Sequence, residues 1–400
     1  MTTSTDHAGQ SHDAGNPRVS CGHVLQRVCG RWGDLPLVPV FLALIIVLPL
    51  AGAALSGKPL SQYAEFPPTT QYVSHNPFSW PVFAGLAILT VALVIPFVIR
   101  FSLRPPPGIC RPALGTPHSS FRAPFPWWGG VGLLLGLVAW AFAWGGPPCF
   151  VFLRRHMFTP LWIAYILVIN AMTIRRSGRC LMTERPREFA LLFPLSAAFW
   201  WLFEYLNRFV QNWHYVGIAD MSPTEYFLFA TIPFSTVLPA VLGTAEWLGT
   251  IGVGRWGSLQ GFTPAIIRTG VLSWMALALS CAGLAGVGVW PNALFPLLWV
   301  APLCILVSLQ ALAGRSTLLN EVSRGDWRRV VRLALAALIC GFFWEMWNSH
   351  SLAKWIYSVP YVNRFHIFEM PLLGYAGYLP FGLECAVVAD WVLAHETMAP

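Results

Sequence analysis

Long apolar stretches without charges are the feature that most constrains the fold of this chain of 400 residues. A helix needs about 20 mostly apolar residues to cross a bilayer, and the sequence contains ten such stretches. Only 10% of the residues are charged, against about 25% in soluble globular proteins. The sequence therefore predicts an all-α, polytopic membrane protein of about ten transmembrane helices, with the lipid bilayer as its partner. The predicted spans are roughly 36–55, 81–99, 127–145, 158–174, 189–206, 226–244, 266–289, 293–313, 330–347 and 373–394.

The positions of the basic residues predict how these helices are oriented. If the N-terminus is cytoplasmic, most of the 25 Lys and Arg residues fall in cytoplasmic segments. This bias predicts a multi-pass protein of the cell inner (plasma) membrane with both termini in the cytoplasm. The net charge of +8 is then a property of basic loops, so no nucleic-acid partner is expected.

A motif of the form Glu-x-x-Asn, followed by Trp-x-Tyr, occurs twice in the same order. Its residues are Glu204, Asn207, Trp213 and Tyr215 in the first copy and Glu345, Asn348, Trp355 and Tyr357 in the second. In both copies a further acid and a Pro-Phe pair follow, and the neighbouring spans also match. The sequence therefore predicts that helices 3–6 are duplicated in parallel as helices 7–10, because an even number of spans preserves orientation.

The repeat divides the chain into five predicted segments. A disordered cytoplasmic N-terminus, without the features of a cleaved signal peptide, is followed by a two-helix addition, a Pro-rich cytoplasmic linker and two four-helix repeats. The boundaries are 1–34, 35–100, 101–126, 127–260 and 261–400.

Acidic residues inside the spans are the candidate functional groups. Glu204 and Asn207 are three residues apart and share one helix face, as do Glu345 and Asn348. A carboxylate inside a membrane is costly unless it is paired, hydrogen-bonded or protonated. Two interpretations stay open: a Glu–Asn hydrogen bond that only fixes the helix end, or a pair of carboxylates at a shared site. Glu384, deep in the last span, is a further candidate.

The tryptophans and tyrosines of the motif also allow two interpretations. Trp213, Tyr215, Trp355 and Tyr357 could belong to the aromatic belt that lies at membrane surfaces. Alternatively, they could line a cavity, where their π faces would suit a cation or a polyene.

Signatures of metal and cofactor sites are lacking in the sequence. The nine cysteines form no C-x-x-C pair, and the histidines form no cluster with metal-ligand spacing. Walker, Rossmann and G-x-S-x-G signatures are also absent from the sequence. We therefore expect no metal and no cofactor.

Part of each copy resembles the small integral-membrane lycopene cyclases. In that family an acid near a helix end precedes a Trp-x-Tyr-like segment and then Pro-x-Glu before an aromatic helix. The family usually has Glu-Glu where this chain has single acids, and its unit has fewer helices. The matching residues are Glu204, Trp213, Tyr215, Pro223 and Glu225 in copy one, and Glu345, Trp355, Tyr357 and Glu369, followed by Met370-Pro371, in copy two.

The resemblance implies redox-neutral acid–base chemistry on an isoprenoid or carotenoid-like substrate. Glu204 or Glu345 would act as the acid, with Glu225 and Glu369 as partners. Glu384 is a further catalytic candidate because of its position inside a span, not because of the resemblance. The asparagines, tryptophans and tyrosines of the motif would then bind the substrate. These are Asn207, Asn348, Trp213, Tyr215, Trp355 and Tyr357.

Two other classes of function remain open from the sequence. A transporter would place a substrate or proton site at the interface of the repeats, and a structural subunit would anchor a larger complex. If the protein is an enzyme, we expect a Trp-lined cavity that opens to lipid. If it is a transporter, we expect broken helices at corresponding places of the two copies. If it is a structural subunit, we expect no cavity.

Overall fold

The computed structural model describes residues 36–67, 71–102, 123–145, 151–251, 253–263, 270–391 and 393. The predicted disordered segment 1–34 lies outside these residues. Of the predicted linker 101–126, the described part comprises only residues 101–102 and 123–126.

Helices make up most of the described chain. The α-helices are α1 (Leu37–Leu55), α2 (Ser61–Ala64), α3 (Trp80–Ser102), α4 (Trp127–Gly145), α5 (Val151–Arg155), α6 (Phe158–Ser177), α7 (Leu181–Glu184), α8 (Pro186–Val210), α9 (Pro223–Phe234), α10 (Val237–Thr250), α11 (Val253–Trp256), α12 (Gly270–Val289), α13 (Pro291–Leu294), α14 (Ala301–Leu312), α15 (Leu319–Ser323), α16 (Arg328–Ser349) and α17 (Tyr378–Ala389). Three 3-10 helices span Gly257–Leu259, Phe295–Trp299 and Leu372–Gly377.

Nine helical segments of the described residues are long and apolar enough to cross a membrane. A tenth would be a bent pair, in which Pro291–Trp299 and Ala301–Leu312 meet at an angle of 52°. This confirms the prediction of a mostly helical protein with several helices that are long and apolar enough to span a membrane. Span boundaries differ where helices break, since the sixth span consists of α9 and α10 and the last one begins as a 3-10 helix.

The helices of the two halves of the chain pack in a similar set of pairs. α4 packs on α6 as α12 packs on α14, and α8 packs on α10 as α16 packs on α17. α6 also contacts α10, and α14 contacts α17. Across the halves, α10 packs against α16, so the buried core joins both halves.

The two N-terminal spans attach to this core in different ways. α1 approaches α12 very closely, because a Cβ atom added at Gly52 would overlap the carbonyl oxygen of Ala285. Gly288 is equally tight against the backbone of α1. Small residues allow such close approach of membrane helices. α3, in contrast, has no buried residue along its described length.

A short antiparallel ribbon joins the two halves at one end of the bundle. It consists of β1 (Trp213–Val216) and β2 (Lys354–Tyr357), and a smaller ribbon of β3 (His366–Ile367) and β4 (Met370–Pro371) lies in the same half of the chain as β2. His214 lies opposite Ile356 at the centre of the first ribbon. We call this end of the bundle the ribbon end. The all-α prediction missed these strands, because β1 and β2 are far apart in sequence and β3 and β4 are only two residues long.

Candidate functional site

The asparagine of each motif connects its helix to the following strand. The Nδ2 of Asn207 donates to the carbonyl of Trp213 at 2.7 Å, and its Oδ1 accepts from the backbone N–H of Asn212 at 2.8 Å. Asn348 makes the same two-way contact with the backbone of Trp355, at 2.8 and 3.0 Å. The asparagines thus bind the starts of the strands and do not bind the glutamates. Their role in substrate binding stays a prediction.

We expect Asn207→Ala and Asn348→Ala to destabilise the fold by about 1–3 kcal/mol each, because buried backbone groups would lose their partners. Unfolding of the purified protein by denaturant in detergent would measure the change. Asn363→Ala, at an exposed position, is the matched control. Equal stabilities of all three variants would show that these contacts do not hold the ribbon.

Glu204 accepts hydrogen bonds from three aromatic side chains and is completely buried. Its Oε1 receives the indole N–H of Trp200 at 3.0 Å, the indole N–H of Trp213 at 3.1 Å and the hydroxyl of Tyr215 at 2.6 Å. Its Oε2 has no hydrogen-bond partner among the described residues. One oxygen is therefore fixed by the aromatic residues, and the other is left with unused acceptor capacity.

Glu345 has a related environment in the second half and is also completely buried. Its Oε1 accepts from the hydroxyls of Tyr357 and Tyr378, both at 2.8 Å. Trp355 donates to the hydroxyl of Tyr357 at 3.0 Å instead of reaching the carboxyl group. Within the described structure, the Oε2 of Glu345 is likewise unpartnered. Each motif thus pairs its glutamate with its own tyrosine.

A cavity of about 620 Å³ lies at the ribbon end, next to both glutamate–tyrosine pairs. We call it the aromatic cavity. Its ring-bearing wall residues include Trp200, Trp213, Trp299, Trp344, Trp355, Tyr215, Tyr226, Tyr357 and Tyr378. The carboxyl groups of Glu204 and Glu345 lie one side chain behind this wall, with the hydroxyls of three wall tyrosines donating to them.

The wall tyrosines of the ribbon are held in the neutral form. Burial is the main cause that raises the pKa of Tyr215 well above its ordinary value, and the charge of Glu204 is the second cause. Burial and the charge of Glu345 do the same for the pKa of Tyr357. Both phenols are therefore neutral while they donate hydrogen bonds to their glutamates.

The rim of the aromatic cavity combines charged groups with an apolar opening. Arg155 and Asp220 form an ion pair at 2.8 Å, and this hydrogen bond lowers the pKa of Asp220. His156 also lies on the rim, and desolvation together with the charge of Arg155 lowers its pKa. Phe152 and Ile232 line the cavity while 73% and 55% exposed, so it opens sideways between α5 and α9.

The other predicted acids occupy different positions. Glu225 lines the aromatic cavity but also closes a capping box with Ser222 at the start of α9. Glu369 forms an ion pair with Lys354 at 2.5 Å and is not among the residues that line the cavity. The catalytic role of both acids stays a prediction.

Glu384 lies at the bent span. Its Oε1 accepts the backbone N–H of Leu303 at 2.9 Å, within the first turn of α14, where helical N–H groups lack partners in their own helix. It is only 2% exposed and lines neither of the cavities found in the described structure. The structure thus places Glu384 apart from the two glutamate–tyrosine pairs.

Several residues of the site were not singled out from the sequence. Tyr378 donates to Glu345, as Tyr357 does. Two tryptophans, Trp299 and Trp344, line the aromatic cavity, and Arg155 forms the ion pair at its rim. Of these, Tyr378 has a sequence signal, because it directly precedes the Leu-Pro-Phe of the second copy. Trp299 ends a 3-10 helix at the bend, which the pattern of apolar residues did not predict.

Within the described ranges, no three His, Cys, Asp or Glu side chains come together in a group that could hold a metal ion. The chain matches no family model, no curated protein and no solved structure. The fold and the site therefore define a mostly helical protein whose long apolar helices could span a membrane and which has an aromatic cavity at one end.

Proposed function

We propose that this protein is a membrane enzyme that performs redox-neutral acid–base chemistry on a lipophilic, isoprenoid- or carotenoid-like substrate. This is the activity that the resemblance to membrane lycopene cyclases implies. The observation that carries the proposal is the wall of the aromatic cavity, where tyrosines donate to the buried carboxyl groups of Glu204 and Glu345. A site that is mostly apolar and holds a few convergent polar groups is typical of a small-molecule pocket.

The proposed chemistry begins with transfer of a proton to a C=C bond of the bound substrate. In one concerted step the neutral carboxylic acid of one pair gives its proton to the phenol oxygen of its tyrosine, while the proton of that phenol passes to the alkene carbon. The phenol is neutral before and after the step, so the glutamic acid is the net acid. The new C–H bond leaves a carbocation, which the faces of the tryptophans stabilise. After rearrangement, a neighbouring carbon loses a proton to the other tyrosine–glutamate pair, so the product is an isomer and no oxidant is consumed.

We further propose that the two pairs descend from a duplicated four-helix unit with parallel copies. The ribbon supports this proposal because its register pairs Trp213 with Tyr357 and Tyr215 with Trp355, as a twofold axis through its centre requires. The backbone N–H of Ser358 continues the pattern by donating to Asn212. Equivalent helix pairs and equivalent asparagine contacts provide further support.

The distribution of charge supports a location in the inner membrane with cytoplasmic termini. Exposed arginines lie in the last turn of α6 and just after it, at the end opposite the ribbon, and include Arg175, Arg176 and Arg179. Positive residues are enriched on the cytoplasmic side of membrane proteins. In this orientation the ribbon end faces away from the cytoplasm, and the cavity opens into lipid, the natural source of a lipophilic partner.

A helix break in each of the two matching spans, on opposite sides of the shared Pro-Phe pair, is the observation behind a transporter as the second candidate. Ser235 and Thr236 separate α9 from α10, and the 3-10 helix Leu372–Gly377 precedes α17 in the matching span. Broken helices in both copies are what transporters with internal repeats use to form a binding site. A structural subunit is less well supported, because it gives no reason for a large aromatic cavity.

Expression in a host that accumulates lycopene tests the enzymatic proposal. We expect wild-type extracts to contain a new isomer of the same mass, and Glu204→Gln to abolish it. Glu184→Gln, at an exposed position outside the cavity, should leave the product unchanged. Extracts that are identical with and without the protein would remove the carotenoid assignment, and full activity of Glu204→Gln would remove the assigned role of this carboxyl group.

A further inference from the structure

A second cavity of about 820 Å³ lies beside α3. We call it the side cavity. Its walls come mainly from α3, α16 and the 3-10 helix Leu372–Gly377, with apolar residues such as Leu86, Leu335 and Leu338. Thr90, Ser102 and Asn212 are among its few polar lining residues. The lining is therefore suited to a hydrocarbon and offers little to a polar molecule.

The side cavity and the aromatic cavity share one wall. Six residues line both cavities, namely Trp213, Trp299, Tyr357, Met370, Gly374 and Gly377. Since the same side chains face both spaces, this partition is one side chain thick. A Cβ atom at Gly374 would overlap the side chain of Met370, so the glycine makes room for that flexible side chain.

The side cavity opens laterally, at the height of the membrane spans. Leu93 and Val98 line it although they are 63% and 55% exposed, so the cavity reaches the surface along the edge of α3. α3 has no buried residue and covers the cavity from one side, where Phe97 and Phe101 contact Trp327 and Trp256. An apolar molecule in the bilayer can therefore reach the side cavity without crossing water.

We infer that the side cavity holds the hydrocarbon chain of the same molecule whose reacting part lies in the aromatic cavity. This inference rests on the proposed function and narrows its substrate to a long-chain isoprenoid that enters past α3 and displaces the Met370 side chain. The partition that the two cavities share, with the flexible Met370 side chain in it, supports this occupant. Tyr357 lines both spaces while it donates to Glu345, so a molecule that threads the partition brings a C=C bond to this hydroxyl.

Photolabelling in lipid nanodiscs tests the inference without any need for turnover. The probe is a C20 isoprenoid alcohol with a diazirine at its hydrocarbon end, compared with the same alcohol labelled beside the hydroxyl. The tail-labelled probe should mark peptides of α3 and α16 around Leu86 and Leu338, and the head-labelled probe should mark residues 218–234. Labelling of the same peptides by both probes would overturn the inference.

Two comparisons sharpen the result. Val94→Trp fills the side cavity and should abolish tail labelling, whereas Val91→Trp, on the exposed face of the same helix, should not. A phosphatidylcholine with a diazirine in its acyl chain should label the peptides around Leu86 and Leu338 much less than the tail-labelled probe does. Equal labelling by this lipid would mean that the space holds bilayer lipid and would overturn the inference. Because binding is the readout, correct labelling without any product would instead count against the enzymatic proposal alone.

Discussion

Tyr357→Phe is expected to lower the rate of product formation by about 100-fold or more, the range of a lost proton-transfer group. The substitution removes the hydroxyl that lines the aromatic cavity and donates to Glu345 at 2.8 Å, while it keeps the aromatic ring. Substrate binding should change little, because the apolar wall remains. Initial rates of isomer formation in membranes from the expressing host, at several substrate loadings, would measure this change.

Tyr375→Phe is the matched control for this prediction. The hydroxyl of Tyr375 donates to the carbonyl of Ile367 at 3.1 Å, and the residue lines neither of the two cavities. The double variant Tyr357→Phe/Glu345→Gln should be no slower than the more damaged single variant, because both groups act in one proton path. Rates that multiply in the double variant, or a Tyr357→Phe variant as active as the control, would contradict the assigned pair.

Gly52→Ala should destabilise the protein by about 1–3 kcal/mol or more, because an added methyl group has no room between α1 and α12. The obstacle is the carbonyl oxygen of Ala285, a backbone atom that cannot rotate away as a flexible side chain could. The helices must therefore separate, which also weakens the contact at Gly288. Denaturant unfolding in detergent, followed by circular dichroism, would measure the loss of stability.

Gly85→Ala provides the control within a neighbouring span. A Cβ atom at Gly85 in α3 would meet nothing within 4 Å, so this variant should be neutral or slightly more stable. The difference between the two variants isolates packing from the general effect of alanine on a helix. If Gly52→Ala were as stable as Gly85→Ala, the close crossing of α1 and α12 would not contribute to the fold.

Membrane spans were predictable because a bilayer imposes one length and one composition on each helix. Breaks inside the spans were only partly predictable: Pro302 is a local signal for the start of α14, but the partner of the backbone of this helix is not. The backbone N–H of Leu303 at the start of α14 finds its partner in Glu384 on α17, far away in sequence. A pattern of apolar residues contains no signal for such a contact, so the eighth span was predicted as one straight helix.

The partners of the candidate glutamates were only partly predictable. A hydrogen bond between Glu204 and Asn207 was one of two open interpretations, because they share a helix face. The structure instead joins Asn207 to the strand and Glu204 to Trp213 and Tyr215. Side chains two residues apart point to the same side of a strand, which explains why Trp-x-Tyr can reach one carboxyl group. The strand itself forms only when β1 meets β2, a pairing too distant for local patterns to reveal.

Energy transfer from tryptophan to retinol tests most directly whether the aromatic cavity binds one apolar molecule. Retinol added to the protein in nanodiscs should quench tryptophan emission in a saturable way, at one molecule per protein. Ala230→Trp, which fills the cavity, should abolish the saturable part, whereas Ala92→Trp on the exposed face of α3 should keep it. Quenching that rises linearly with retinol, and equally in both variants, would contradict the claim.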